Sequence, residues 1–329
     1  MTAYYCLHNA ISLFFESNTS VTRQQWDELA VSLAGERVNP VPIQGTFSYT
    51  VTAGTHESKL FQFRVQDSSL DMDLMSLAKA VRPPLVADCK YHGTLDNQDP
   101  STYTRWTTSP GLLTLWRAIS PMYSRQTLYC GSATLSKTLQ SFFGQSWNTS
   151  RPLNPDDAAA LLTECHSKFD LLARSLPSRF ASNLGRVCQE LPSLLSGALR
   201  FVLSHGDLRE MNILIDPETG RITGIVDWAE ASILPFGFPL WGLENILGYM
   251  GPKGWQYYDN PHELEDLFWQ TFREANNVSD TDLQLIRAAR MAGLFYRYGF
   301  IVEGKTVKGV VDQSDPSSIA VSRCILHNC

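Results

Sequence analysis

Asp207 and Asn212 stand five positions apart in LSHGDLREMNILID (203–216), and Asp227 follows in GIVDWAEA (224–231). Ile213 to Ile215 and Ile222 to Val226 have the apolar, β-branched character of short strands, and Pro217-Glu218-Thr219-Gly220 between them is a turn. A hairpin of that kind brings Asp227 back to the loop that holds Asp207 and Asn212. Two carboxylates and one amide then offer hard oxygen donors, which Mg²⁺ prefers while keeping waters and phosphate oxygens in its remaining positions. Phosphoryl transfer needs such an ion to offset charge on the β- and γ-phosphates, and a carboxylate to orient the attacking hydroxyl and take its proton. Each residue alone could be a turn or a cap, where Asp and Asn are favoured by local hydrogen bonds. His205, Asp207, Asn212 and Asp227 at fixed spacing, backed by two strands, are poorly explained that way. A P-loop is excluded, since no G-x-x-x-x-G-K-[ST] occurs.

The elements around this motif fall into two parts. Residues 40–110 are β-rich. GTFSYTVTAG (45–54) and KLFQFRV (59–65) alternate in the strand period, with AGTHES (53–58) as a turn, and predict an antiparallel hairpin. LDMDLMSLAKAV (70–81) has helical periodicity through Leu70, Leu74, Leu77 and Val81, and STYTRWTT (101–108) is a further strand. A linker is expected near 108–112. Beyond it the chain predicts helices over 132–147, 155–176, 262–276 and 281–302. The second of these has Asn154 as N-cap, Pro155 at the first helical position and acids in the first turn. Tyr4, Leu7, Ile11 and Phe14 predict an amphipathic helix over 3–16. The expected organisation is a helical extension (1–39), a β-rich N-lobe of nucleotide-binding type (40–110), and a helical C-lobe carrying the catalytic loop and metal-binding hairpin (111–329).

Composition narrows the function classes. With 329 residues, 43% of them hydrophobic, the chain can bury a substantial core. A net charge of −6 without any Lys/Arg run argues against a nucleic-acid partner. The seven cysteines are widely spaced with no C-x-x-C, which is the usage of a reducing compartment rather than of a disulfide framework or zinc site. No segment has the apolar length of a membrane span or a signal peptide. A cytoplasmic protein with a small-molecule partner and no membrane contact is expected.

HGDLREMN with GIVDWAEA resembles the aminoglycoside phosphotransferase and choline kinase branch of the protein-kinase-like fold. That branch has H-G-D-x-x-x-x-N where protein kinases have H-R-D, and I-D-W or V-D-W where they have D-F-G. LPFGFPLWGLENILG (234–248) and LQSFFGQSW (139–147) look like the fungal members of that family. The resemblance implies an α+β, bilobal fold with a small β-rich N-lobe and a larger, mainly helical C-lobe, and ATP and Mg²⁺ as cofactors. It also implies roles: Asp207 as catalytic carboxylate, Asn212 and Asp227 as magnesium ligands, His205 as a brace of the loop, and Arg209 as a phosphate contact.

The N-terminal part departs from that pattern. Kinases use a strand lysine, held by a helix glutamate, to grip the α- and β-phosphates. Arg64 stands at the lysine position, and an arginine keeps the charge with a different geometry. The following helix offers Asp71 and Asp73 and no glutamate, so Arg64 is expected to pair with one of these aspartates. The phosphate loop would be QGTFSYT (44–50), where Gly45 is the one glycine and Ser48 could cap a phosphate. The adenine hinge would lie in 103–111. Ten aromatics between Trp228 and Trp269 suggest a partly aromatic pocket for a hydroxylated, largely apolar metabolite. Three function classes follow: an ATP- and Mg²⁺-dependent small-molecule phosphotransferase acting on a hydroxyl or amine; a kinase-like fold catalysing another step in secondary metabolism, as the altered N-lobe would allow; or a non-catalytic binding protein. ATP binding separates the first from the others.

Overall fold

The computed structural model describes residues 5–54, 59–94, 102–107, 125–216, 218–251, 254–303 and 306–311. The chain divides into two compact units: Met1–Thr127 with Met211–Glu218 and Ile222–Ala229, and Leu128–Glu210 with Thr219–Arg221 and Glu230–Cys329. The expected linker at 108–112 lies outside the described residues.

The first unit is built on a five-stranded antiparallel sheet in the order β1-β2-β3-β5-β4. Its strands are β1 (Asn39–Pro40), β2 (Ser48–Ala53), β3 (Lys59–Arg64), β4 (Asp88–Thr94) and β5 (Thr102–Thr107). The alternation in β3 sends Phe61 and Phe63 to the face that also carries Tyr49, Val51 and Ala53 of β2. Two helices cover this face, α1 (Leu7–Asn18) through Ile11 and Phe14, and α2 (Arg23–Ala34) through Trp26 and Ala30. The expected 3–16 helix therefore exists, displaced by a few residues. α2 begins with a capping box in which Thr22 and Gln25 exchange hydrogen bonds. The strand expected from residue 45 starts at Ser48, because the Gln44 side chain folds the preceding segment onto it: its amide donates to Val41 O (3.1 Å) and Thr50 O (2.9 Å) and accepts from Thr50 N–H (2.8 Å). α3 (Met72–Val81) takes Asp71 as its N-cap.

The hairpin β7 (Ile213–Ile215) and β8 (Ile222–Ile225) groups with this unit, whereas the sequence reading put it in the C-lobe. Ile225 N–H donates to Leu85 O at 2.8 Å, which ties β8 to the segment after α3. Of the expected 217–220 turn, Pro217 lies outside the described residues.

The second unit is mainly helical: α4 (Arg125–Asn148) leads into it, followed by α5 (Pro155–Ser175), α6 (Ala181–Ser193), α7 (Pro261–Asn276) and α8 (Asp280–Tyr298). Asn154 caps α5 as expected, accepting from Asp157 N–H at 2.8 Å. Three small antiparallel pairs interrupt the helices: β6 (Phe201–Ser204) with β9 (Ser232–Pro235), β10 (Gly248–Gly251) with β11 (Gly254–Tyr257), and β12 (Phe300–Glu303) with β13 (Thr306–Val310). The helix expected over 281–302 stops at Tyr298. Gly299 still has helical angles, and from Phe300 the β-branched Ile301 and Val302 continue as a strand paired antiparallel with β13. Among the described residues no helix is long and apolar enough to cross a membrane.

Most of the aromatics noted in the sequence between 228 and 269 are buried, seven of the ten: Trp228 in the first unit, and Phe236, Phe238, Trp241, Trp255, Phe268 and Trp269 in the second. Phe236 and Phe268 stack on Phe272, and Trp147 meets Phe236 edge-on at 5.0 Å. These rings are part of the packed interior of their units.

One charged cluster is sealed in this core. Arg290 of α8 donates to Glu244 Oε1 at 2.7 Å and to Glu265 of α7. Burial works against its charge, but the two glutamates outweigh burial and hold the guanidinium above its usual range. Glu244 is 0% exposed, so it cannot turn to water if Arg290 is lost. Arg290→Leu should cost about 3–5 kcal/mol, the usual cost of orphaning one member of a buried ion pair. The denaturant midpoint measures this, and a loss below about 1 kcal/mol would show that the cluster relaxes into solvent.

Candidate active site

β6 ends at Ser204 and delivers a buried His205 into a tight loop. His205 Nδ1 accepts from Asp207 N–H at 3.3 Å, so that nitrogen carries no proton, and the ring fixes the Asp207 backbone. Gly206 has φ +79°, and a Cβ there would overlap the Glu230 carbonyl oxygen. The glycine of H-G-D is therefore demanded both by the left-handed backbone and by close packing. Arg209 N–H then closes back on Asp207 O at 2.8 Å.

The Asp207 carboxylate is gripped by two arginines of its own unit. Arg209 Nε lies 2.7 Å from Oδ1, and Arg297 Nη2, from the last turn of α8, reaches the same oxygen. Arg297 is also held over the Trp241 ring, 4.9 Å from its centroid, and its Nη1 lies 3.8 Å from a Glu230 carboxylate oxygen. Trp241 in turn meets Tyr298 edge-on at 5.8 Å.

In the first unit, Asn212 and Asp227 sit at the two ends of the β7–β8 hairpin. Val226 N–H donates to Asn212 O at 3.0 Å, which fixes the two ends against each other. Asp227 has φ +61°, a left-handed conformation that few non-glycine residues adopt but that Asp tolerates better than most. Trp228, next in the chain, is buried, and its Nε1 donates to Ile225 O at 3.1 Å. The Arg82 guanidinium lies over that ring at 5.5 Å; burial pushes it down to about 9, and the ring face offsets part of this cost.

Arg64 meets Asp227. Its Nη1 is 3.2 Å from Asp227 Oδ1 and 3.0 Å from Gln62 Oε1, while Nε and Nη2 donate to Ser68 O and Oγ at 2.6 and 3.0 Å. Arg64 is 4% exposed and the Asp227 side chain 43%, so a buried, fully engaged guanidinium presents its charge to a carboxylate that still reaches solvent. The expected pairing with Asp71 or Asp73 does not form. Asp71 Oδ1 is committed to the first-turn N–H groups of Asp73 and Leu74, and Asp73 is exposed in that turn. Of the phosphate-loop candidates, Gly45 precedes β2 with its Cα close to the Ser48 hydroxyl, and Ser48 is buried directly opposite Arg64 in the β2–β3 register. The hinge range 103–111 overlaps β5 up to Thr107, and the remainder lies outside the described residues.

Sequence reasoning missed Ser68, Gln62 and Arg297, and noted Trp241 and Glu230 only as an aromatic and an acid near the expected pocket. Arg297 carries no local motif; its one signal is the spacing of seven from Arg290, which puts both arginines on one face of α8. The donor set on the hairpin fits a hard divalent cation: one carboxylate and one amide oxygen, with waters and phosphates left to complete the shell. Among the described residues no group of three or more His, Cys, Asp or Glu could hold a metal, so a cation here would depend on those further ligands.

The profile of the phosphotransferase enzyme family matches residues 129–249. Among solved structures, the chain is similar to a mutant of aminoglycoside 2'-phosphotransferase IIIa in its GDP complex, with 14% identity, a TM-score of 0.53, and 93% of this chain and 98% of that one covered. It is also similar to the Plasmodium vivax ethanolamine kinase, with 10% identity, a TM-score of 0.52, and 100% and 95% covered. No protein of curated function matches. At these identities the likeness shows the fold, which is the protein-kinase-like fold with a small β-rich N-terminal part and a mainly helical C-terminal part.

Gly206 gives a direct check of the loop geometry. Gly206→Ala forces a Cβ into a left-handed backbone, costing about 1–2 kcal/mol, and into the Glu230 carbonyl as well. The denaturant midpoint should fall by more than that conformational term alone, with faster amide hydrogen exchange at 205–209. Unchanged stability and exchange would contradict the described loop.

Proposed function

We propose that the chain is an ATP- and Mg²⁺-dependent phosphotransferase acting on a hydroxyl group of a small molecule. The observation that carries this reading is the hairpin pair, Asn212 and left-handed Asp227, with the buried Arg64 guanidinium on Asp227 Oδ1. An Asp in a left-handed backbone, 43% exposed beside a buried guanidinium, is the kind of backbone outlier that clusters at functional sites, and this supports the reading.

Asn212 and Asp227 would hold Mg²⁺, which when bound supplies positive charge against the phosphate oxygens. Arg64, expected at the phosphates, has its donors on Ser68, Gln62 and Asp227, so it would act by holding Asp227 rather than by binding phosphate itself, and Ser48 opposite it is buried. Asp71 and Asp73 have no part in this reading. Asp207 would orient the acceptor hydroxyl and take its proton as the new P–O bond forms and the bond to the departing ADP breaks. His205 would hold Asp207 through its backbone, and Arg209 would contact the transferring phosphoryl group. Assignment to the fungal members rests on stretches 139–147 and 234–248 alone. The widely spaced cysteines suit a cytoplasmic setting; burial pushes the Cys165 and Cys89 thiols up to about 12, so both stay protonated.

ATP consumption with a panel of small alcohols tests the reading. Asp207→Asn keeps the shape and removes the charge, and should cut turnover by about 10²–10⁴-fold with little change in KM for ATP. Undiminished turnover in this variant would remove Asp207 from the reaction.

A further inference from the structure

Arg297 is the one charged group at Asp207 to which the reading above gives no task. Its side chain is 15% exposed, its guanidinium lies over the Trp241 ring 4.9 Å from the centroid, and it projects from the last turn of a helix with a largely buried face. Such a side chain has lost its freedom before any ligand arrives, which favours recognition of a planar anion. One of its three nitrogens is used: Nη2 goes to Asp207, Nη1 is too far from Glu230 to hydrogen-bond, and no described residue accepts from Nη1 or Nε. The carboxylate of Glu230, which is 54% exposed, lies 3.8 Å from Nη1, beyond hydrogen-bond distance.

Two guanidiniums converge on Asp207 Oδ1, one from the loop and one from α8. Arg209 is 60% exposed and lies two residues beyond Asp207, which suits a moving phosphoryl group. Arg297 is rigid. Whatever hydroxyl donates to Asp207 must sit within a few bonds of Arg297. An acceptor with an ammonium group near that hydroxyl would meet the positive charges of Arg209 and Arg297; an acceptor with a carboxylate there would meet the open Nε and Nη1 of Arg297.

We infer that Arg297 is a specificity-determining residue that binds a carboxylate of the acceptor, so that the substrate is a hydroxy acid with its acid group a few bonds from the reacting hydroxyl and not a cationic amino alcohol. This rests on the phosphotransferase reading for the role of Asp207, but the anion site itself does not need ATP.

The test uses the full chain and a set of 2- and 3-hydroxy acids, each matched to its primary amide, with ethanolamine as the cationic comparator. Melting temperature is followed against concentration without nucleotide, and ATP consumption is measured separately with magnesium. In the wild type the acids should stabilise the protein at concentrations at least about tenfold below their amides, and ethanolamine should not stabilise it, since a charge-assisted contact is lost in the amide. Arg297→Ala should abolish the preference. Arg297→Lys should keep part of it, which also covers the case that the alanine variant folds poorly. Arg273→Ala, which removes an exposed arginine paired with Asp280, should leave it unchanged. Equal binding of acids and amides by the wild type, or a preference that survives Arg297→Ala, overturns the inference. So does an equal loss of acid and amide binding in both Arg297 variants, which would make the residue structural. Acid binding through Arg297 with no ATP consumption would uphold the anion site and sink the phosphotransferase reading. ATP consumption as fast with amides as with acids would do the reverse.

Discussion

The buried guanidinium of Arg64 is the constraint on which the first unit's chemistry depends. It ends β3, satisfies the carbonyl and hydroxyl of Ser68, takes Gln62 from its own strand, and presents what remains to Asp227. A charge that is 4% exposed must be paired and hydrogen-bonded to be tolerated. Asp227 supplies the opposing charge, and it does so from a left-handed backbone clamped by the buried Trp228 and by the Val226 bond to Asn212. The strand, the turn after it and the hairpin are thus bound to one ion pair.

Arginine in place of lysine has a structural consequence. A lysine ammonium makes point contacts, whereas the planar fork reaches several acceptors at once. Here four donations to Ser68, Gln62 and Asp227 hold the side chain with no helix carboxylate. Asp71 is thereby free to cap α3. The expected Arg64–aspartate pair treated the helix acid as a substitute glutamate; its failure follows from the position of Asp71 at N-cap, where short-range backbone bonds to Asp73 and Leu74 outcompete a distant partner.

Much of the fold was legible because its signals are local. Asn154 before Pro155, the alternation of Phe61 and Phe63, and the β-branched runs at 213–215 and 222–225 each act within a few residues, and the structure has those elements. The short strands of the hairpin that carries Asn212 and Asp227 were legible for the same reason. What was not legible depends on distant chain meeting distant chain. The strand after Tyr298 forms by pairing with β13; Phe236 and Phe268 stack on Phe272, with Trp147 edge-on to Phe236; and Arg297 reaches Asp207 from ninety positions away. Single residues with no periodic or motif context carry no sequence trace of such contacts.

The second unit supplies rigidity where the first supplies charge. Gly206 lets β6 turn sharply under Glu230, His205 pins the next amide, and the sealed Arg290 cluster anchors the helix from which Arg297 projects. The central claim is that Asp227, held by Arg64, is a metal ligand for a bound nucleotide. Calorimetric titration of ATP into the wild-type protein and into Asp227→Ala, each with and without Mg²⁺, tests it most directly. The account predicts that magnesium strengthens ATP binding to the wild type and that this strengthening disappears in the variant. A folded wild-type protein that binds no ATP, or whose ATP affinity responds to magnesium equally with and without Asp227, would contradict it.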